Sequence, residues 1–370
     1  MKKILLVIAF TGLVSGWAHT MDKPVDRVVA VTFDDLPSVP SYSVVALREV
    51  TKKLLQSITS NQVPVVAFVN EQKLHERGEL AERTSILKMW LDAGIELGNH
   101  TYSHSRFYNT PLEKFEEDVI RGEEVTKQLL AQKGLLLRYF RHPTLNTGPN
   151  LESKRAFEKF LAARGYAVAP VTVDNSEWIL ARVYAEARAK GDRALMKRVS
   201  DSYAPYLEEM FAFYEKLSAD VLGYEVRQVL LVHANALNAD HFDDVVKMLR
   251  RRGYRFISLE EALKDPAYSL PDEYTGPVGI SWLQRWMITK GSEMRPEPSL
   301  PETMKEFDNT SASGSAFKTN TGKTNTGKTN TGKTNTGKTN TDKTNTDKTN
   351  TDKTKTGKTK TGKTKTGQKN

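Results

Sequence analysis

The chain has 370 residues, 38% of them hydrophobic, with no Cys and with 54 Lys+Arg against 45 Asp+Glu for a formal charge of +9. That length can bury a large core, while the missing thiols exclude disulfides, thiolate catalysis, iron–sulfur clusters and Cys-ligated zinc. Residues 318–370 carry 14 Lys and 3 Asp, or +11, and Lys2 with Lys3 adds +2, which leaves −4 on residues 19–317; the basic balance belongs to the tail, and no specific nucleic-acid partner is expected.

Along the chain, Lys2-Lys3, the apolar run Ile4 to Val14 and the small residues Ser15, Gly16 and Ala18 predict a cleaved signal peptide over residues 1–18. The run is too short to span a bilayer, which takes about 20 residues, so an exported protein, periplasmic or secreted, is expected, with no transmembrane span after cleavage. Residues 19–308 alternate short β-branched runs with amphipathic stretches, the pattern of parallel strands joined by crossover helices. Strands are predicted at Val28–Thr32, Val65–Val69, Ile95–Gly98, Leu136–Phe140, Val168–Val173, Val229–Val232 and Arg255–Ser258. Helices are predicted at Ser43–Thr59 and at Pro111–Lys133, the second opened by Thr110 as N-cap and Glu113 as its capping-box partner. Ser202–Leu222, with an aromatic stripe at helical spacing, reads as an inserted core helix. Trp282 and Trp286 are four apart, a spacing that suits a helix packed on the body better than a sugar platform.

Residues 309–317 form a flexible linker in this reading. From Lys318 to Gly367 the pentapeptide Lys-Thr-Asn-Thr-Gly recurs ten times, with Asp or Lys substitutions. It has no apolar face and a period that matches neither helix nor strand, so residues 318–370 are expected to be disordered. Such a polycation could hold the protein on anionic envelope polymers; a tolerated repeat expansion is the plainer account.

The polar residues that follow the predicted strands are Asp34-Asp35, His100 with His104, Arg141, Asp174 to Trp178, and His233. In barrels of parallel strands the carboxyl ends converge on one mouth, and five independent clusters fall at that edge. His100 and His104 are spaced to face one cation, and one of Asp34 and Asp35 would complete a set of two His and one carboxylate that leaves positions open for water. Strand alternation predicts that Asp34 and Asp35 point opposite ways and have separate tasks.

Thr32-Phe-Asp-Asp35, His100-Thr-Tyr-Ser-His104, Arg138-Tyr-Phe-Arg-His-Pro143, Asp174-Asn-Ser-Glu-Trp178 and Leu230-Leu-Val-His233 resemble, in order, the five motifs of the polysaccharide deacetylases, carbohydrate esterase family 4, with the nodulation-protein-B homology domain. The resemblance implies an α/β fold, a distorted seven-stranded (β/α) barrel, from about Val28 to Leu263. It implies Asp34 as general base, Asp35, His100 and His104 as ligands of one divalent metal, zinc foremost, Arg141 as the residue that orients the base, and His233 as general acid. Trp178 is expected to form an apolar wall for the acetyl methyl, with Tyr102, Pro143 and Leu231 also against the substrate.

The chemistry is self-consistent, since amide hydrolysis needs a polarised carbonyl, an activated water and a protonated leaving amine. The third motif departs from the family by continuing Pro143-Thr-Leu-Asn-Thr-Gly148, which implies a different groove wall. In the fourth, Glu177 stands where an Asp is usual, so Glu177 or Asp174 would orient His233; after His233 comes Ala234-Asn235 where an acid is common. The expected activity is removal of N-acetyl groups from an amino-sugar glycan. The alternatives are an O-acetyl-glycan (xylan-type) esterase, a non-catalytic envelope glycan-binding protein on the same fold, and a mononuclear iron oxygenase, against which the tandem carboxylates and strand–helix alternation argue. Neither a Gly-rich phosphate loop nor a Gly-x-Ser-x-Gly elbow occurs, so nucleotide use and serine hydrolysis have no support.

Overall fold

The computed structural model describes residues 26–307. The predicted signal peptide, linker and repeat tail lie outside the described residues. Seven strands form one parallel sheet: β1 Val28–Leu36, β2 Val65–Val69, β3 Glu96–Asn99, β4 Tyr139–Phe140, β5 Ala167–Val168, β6 Gln228–His233 and β7 Arg255–Phe256. Between and after them run α1 Val44–Ser60, α2 Leu80–Asp92, α3 Leu112–Arg121, α4 Glu124–Ala131, α5 Leu151–Ala163, α6 Glu177–Lys190, α7 Arg193–Leu222, α8 Ala236–Arg251, α9 Leu259–Ala262 and α10 Trp282–Thr289. Among the described residues no helix is long and apolar enough to cross a membrane.

The sheet runs β5-β4-β3-β2-β1-β6, with β7 paired to the start of β1. It curls into a distorted barrel, and one segment links its two ends. Ala167 and Val168 pair with β4, whereas Val173, five residues on, bridges Leu230 of β6. The predicted strand Val168–Val173 is therefore a bent connection whose two ends serve different neighbours.

Period-two alternation divides the strand side chains into two layers. Ala30, Val66, Phe68, Tyr139, Ala169 and Val229 form a small inner cluster. Val29, Val31, Phe33, Ala67, Val69, Leu97, Phe140, Leu230 and Val232 face outward into the larger core beneath the helices. The inner layer is tight. A Cβ on Gly98 would lie 2.5 Å from the Phe68 ring, so only glycine lets that ring fill the barrel. Continuing the inner row toward the carboxyl ends reaches Asp34 and His233, four residues past Ala30 and Val229 on β1 and β6, and His100 and Arg141, two residues past Gly98 and Tyr139 of β3 and β4.

Three expectations are corrected. First, β1 extends to Leu36, and its register with β2 shifts between Phe33 and Leu36, where Asp35 adopts a left-handed backbone (φ 67°). Second, the predicted helix Pro111–Lys133 is two helices, broken at Gly122 and Glu123. A Cβ on Gly122 would sit 2.4 Å from the Thr101 carbonyl carbon, so the break is where the helix abuts the loop that carries the two histidines. Thr110 does not cap α3; its hydroxyl donates to Arg106 O at 2.8 Å, and Pro111 occupies the cap position. Third, the inserted helix is longer than predicted, running through Pro205 as the 30-residue α7, whose Tyr203, Tyr206, Met210, Phe211 and Tyr214 are buried as core.

Candidate active site

A cavity of about 440 Å³ opens at the carboxyl ends of the strands and is lined by Asp34, Asp35, His100, His104, Asp174, Trp178, Leu231 and His233, among others. Residues separated by nearly 200 positions meet here because β1 and β6 pair in parallel with Asp34 opposite His233. Asp34 and Asp35 both face this cavity, contrary to simple alternation. The register shift and the positive φ of Asp35 turn the second carboxylate back to the side of the first.

One ligand atom each from Asp35, His100 and His104 lies within 4.8 Å of the others. The histidine loop is held by backbone rather than by helix: Thr101 and His104 both have positive φ, and Tyr102 N and Ser103 N donate to the carbonyl and the carboxylate of Asp118. His100 Nδ1 lies 2.8 Å from Arg141 O, an arrangement in which Nδ1–H donates and Nε2 keeps its lone pair for the cavity. Burial lowers the pKa of both imidazoles, which keeps them neutral and able to ligate.

Asp35 Oδ1 lies 3.5 Å from His104 Nε2 and 3.0 Å from Lys73 Nζ, yet it makes no properly angled hydrogen bond. Burial works to raise the Asp35 pKa, but Lys73, His104 and His100 together hold it well below the usual carboxylate range. A buried, ionised carboxylate, paired in charge with Lys73 but with no well-angled hydrogen bond to its Oδ1, beside two neutral imidazoles is a donor set that fits a divalent cation.

Asp34 is 3% exposed. Its Oδ2 lies 3.4 Å from Arg141 Nη1, while Arg141 Nη2 donates to Thr32 Oγ1 at 2.9 Å. Its other oxygen, Oδ1, is buried without a partner. Desolvation pushes the Asp34 carboxyl up to about 6, against the pull of Arg141 and His233.

His233 Nδ1 lies 2.9 Å from Glu177 Oε2, which leaves Nε2 as the other ring nitrogen available to the cavity. Glu177 is fully buried and also accepts from the side chains of Asn235 and Asn238. Burial opposes protonation of His233, but the Glu177 hydrogen bond and charge outweigh it and bring its pKa to about 9. Of the two acids that could orient His233, Glu177 is the one in contact. Asp174 instead lies half-buried on the cavity wall, accepting from Asn175 N at 2.8 Å.

Two residues expected against substrate lie elsewhere. Tyr102 is stacked under Arg121, 3.8 Å from guanidinium carbon to ring centroid, and Pro143 is buried at the start of a tight turn; neither lines the cavity. Arg141 is entirely buried behind Asp34. Trp282 and Trp286 are 8% and 1% exposed, as packing on the body requires. His142 is buried outside the cavity.

Sequence reasoning missed Lys73, Asn235, Asn238 and Glu297. Asn235 has a legible signal, since it stands two residues after His233 where an acid is common. Lys73 and Glu297 have none, because their proximity exists only in the fold.

Comparison with known proteins agrees with the motifs. Residues 22–156 match the family model for polysaccharide deacetylase. A curated relative, the peptidoglycan-N-acetylglucosamine deacetylase of Bacillus cereus, is 26% identical over 167 residues, 45% of this chain and 52% of that protein. The match thus spans about half the length of that relative. Similar solved structures include a family 4 carbohydrate esterase from Streptomyces lividans in complex with acetate (19% identity, 64% of this chain and 96% of that one, TM-score 0.39). Another is the peptidoglycan deacetylase PdaC from Bacillus subtilis (19%, 66% and 94%, TM-score 0.39). A third is a family pseudoenzyme from Bacillus anthracis (15%, 65% and 67%, TM-score 0.43).

Proposed function

We propose, starting from that match over residues 22–156, that the protein is a metal-dependent hydrolase that removes N-acetyl groups from an amino-sugar glycan, releasing acetate and leaving a free amine. The observation that carries this reading is the meeting, in one cavity, of a carboxylate with a lifted pKa, a charged imidazole and a set of three candidate ligands.

Asp35, His100 and His104 would hold the cation, with zinc first among the candidates. When bound, a divalent cation supplies Lewis acidity to an acyl oxygen and to water. The rest is work for the protein's own groups. Asp34 Oδ1, buried and without a donor, accepts a proton from the attacking water; a pKa of about 6 leaves it mostly ionised at neutral pH yet more basic than an ordinary carboxylate. Arg141 fixes the Asp34 carboxylate through Oδ2 and keeps it from protonating earlier. His233, protonated at neutral pH and aimed by Glu177, delivers a proton to the departing nitrogen. Trp178, 42% exposed on the wall, offers an apolar face to the acetyl methyl or to a sugar ring.

Export to the cell envelope belongs to the same proposal. It is supported by the signal-like residues 1–18 and by the name of the Bacillus relative, whose substrate is part of a cell wall. The test is acetate release from a panel of N-acetylated glycans and O-acetylated xylan, with metal stripped and restored, on the wild type and Asp34→Asn. Turnover is expected to need both the metal and Asp34; indifference to both would overturn the mechanism.

A further inference from the structure

The aromatic stripe of α7 is core by its rings, but three of its hydroxyls reach groups in and behind the cavity wall. Tyr203, Tyr206 and Tyr214 are all buried. Tyr203 Oη donates to Asn238 Oδ1 at 2.6 Å, Tyr206 Oη accepts from Ser176 N at 2.9 Å, and Tyr214 Oη donates to Glu297 Oε1 at 2.6 Å. Ser176 and Glu297 line the cavity, so a helix inserted between β5 and β6 braces that wall. Tyr203 and Tyr214 stand three turns apart on one face, about 16 Å along the helix axis.

The Tyr203 contact leads to His233. Asn238 is fully buried, and its amide has two unlike ends. Tyr203 occupies the oxygen end, so the nitrogen end points the other way, where Nδ2 donates to Glu177 Oε1 and to His233 O, each at 2.8 Å. Asn235 Nδ2 donates to the same Glu177 oxygen, and Asn235 Oδ1 caps α8 by accepting from Asn238 N at 2.8 Å. The second Glu177 oxygen is thereby left to His233 Nδ1. Glu177 is the first residue of α6, and its backbone is pinned by Tyr206 at Ser176 N and by Asn175 Oδ1 at Glu177 N, 2.9 Å in each case. A glutamate has three side-chain torsions to settle; fixing its backbone at one end and its far oxygen at the other removes that freedom.

We infer that Tyr203 and Asn238 are positioning residues for the general acid: the inserted helix, through one hydroxyl and one amide, sets the Glu177 carboxylate and with it the ring of His233. The inference rests on the deacetylase reading, in which His233 delivers the proton. Taking away the hydroxyl leaves a buried amide oxygen without a donor, and the side chain that must readjust is the one that holds both Glu177 and the His233 backbone. A small rotation of the imidazole is enough to misdirect Nε2.

The experiment uses Tyr203→Phe, which removes the hydroxyl and keeps the ring, in the full-length, metal-loaded protein, alone and together with Glu177→Gln. Acetate release from an N-acetylglucosamine tetramer gives kcat and KM, read beside metal content. Tyr203→Phe alone should lower kcat about tenfold at unchanged KM and metal content, the effect of a displaced catalytic group. On the Glu177→Gln background it should lower kcat little further, because the path through which it acts is already cut. An unchanged kcat, or an equal loss on both backgrounds as a merely structural role would give, overturns the inference and leaves the deacetylase reading standing. The NMR signal of the His233 Nδ1 proton in histidine-labelled protein reads the positioning without turnover: Tyr203→Phe should shift it, and an unmoved signal overturns the inference. A wild type that releases no acetate would remove the deacetylase reading, and the proton signal would still decide whether Tyr203 sets the ring.

Discussion

The floor and the rim of the cavity are made in different ways. The floor is an extension of the barrel's inner row: Asp34, His100, Arg141 and His233 stand one step above Thr32, Gly98, Tyr139 and Leu231, and parallel pairing fixes their relative height. The rim is made of loops and a C-terminal segment, tied together by side-chain bonds from Asn146, Thr147 and Arg285 to distant backbone. A floor set by the hydrogen-bond ladder can hold chemistry constant, while a rim set by loop contacts can change substrate without disturbing it.

Removing one of the proposed metal ligands above that floor should have the largest effect. His104→Ala or Asp35→Asn is expected to lose metal and about 10³-fold or more in turnover, read by metal content together with acetate release. Asp34→Asn should keep the metal and lose about 10²- to 10⁴-fold, the range of general base catalysis. Retained activity in that variant would mean that another group takes the proton.

Next comes pH. The proposed mechanism requires Asp34 ionised and His233 protonated, so the rate should fall as pH drops through about 6 and again as it rises through about 9. Glu177→Gln removes the charge that raises His233, so the alkaline limb should move to lower pH while the acid limb stays. A pH–rate profile of both proteins decides this.

Perturbing the rim should act on affinity and stability more than on chemistry. Arg285→Ala leaves Asp272 without its buried guanidinium and is expected to cost about 3–5 kcal/mol in denaturant unfolding, with KM rising. Trp178→Ala, at an exposed position, should raise KM several-fold with little change in the unfolding midpoint. If instead it lowered kcat as far as Asp34→Asn does, the distinction between floor and rim would fail.

The floor was largely legible in the sequence because period-two runs and the polar residues that end them are local signals. The seven strands stand close to their expected places, and His100, His104 and His233 follow strands as predicted. The bulge at Asp35 was not legible, because nothing local distinguishes a carboxylate that continues an alternation from one that breaks it. The division of α3 from α4 was hidden for a similar reason: Gly122 costs little in a helix until a neighbouring backbone comes within contact distance. Lys73, Glu297 and the role of Asn146 and Arg285 depend on pairs up to 140 residues apart, which no window of sequence contains.

The irregularity in β1 also determines how the strand would respond to a change of length. Only Asp34 and Asp35 stand between Phe33 and Leu36, so one residue removed there would restore even pleating and leave a single carboxylate, next to the outward-facing Phe33 and therefore on the cavity side. A single-codon deletion there would therefore merge two tasks onto one acid and move the β1–β2 register at the same time, which no point substitution at either position does.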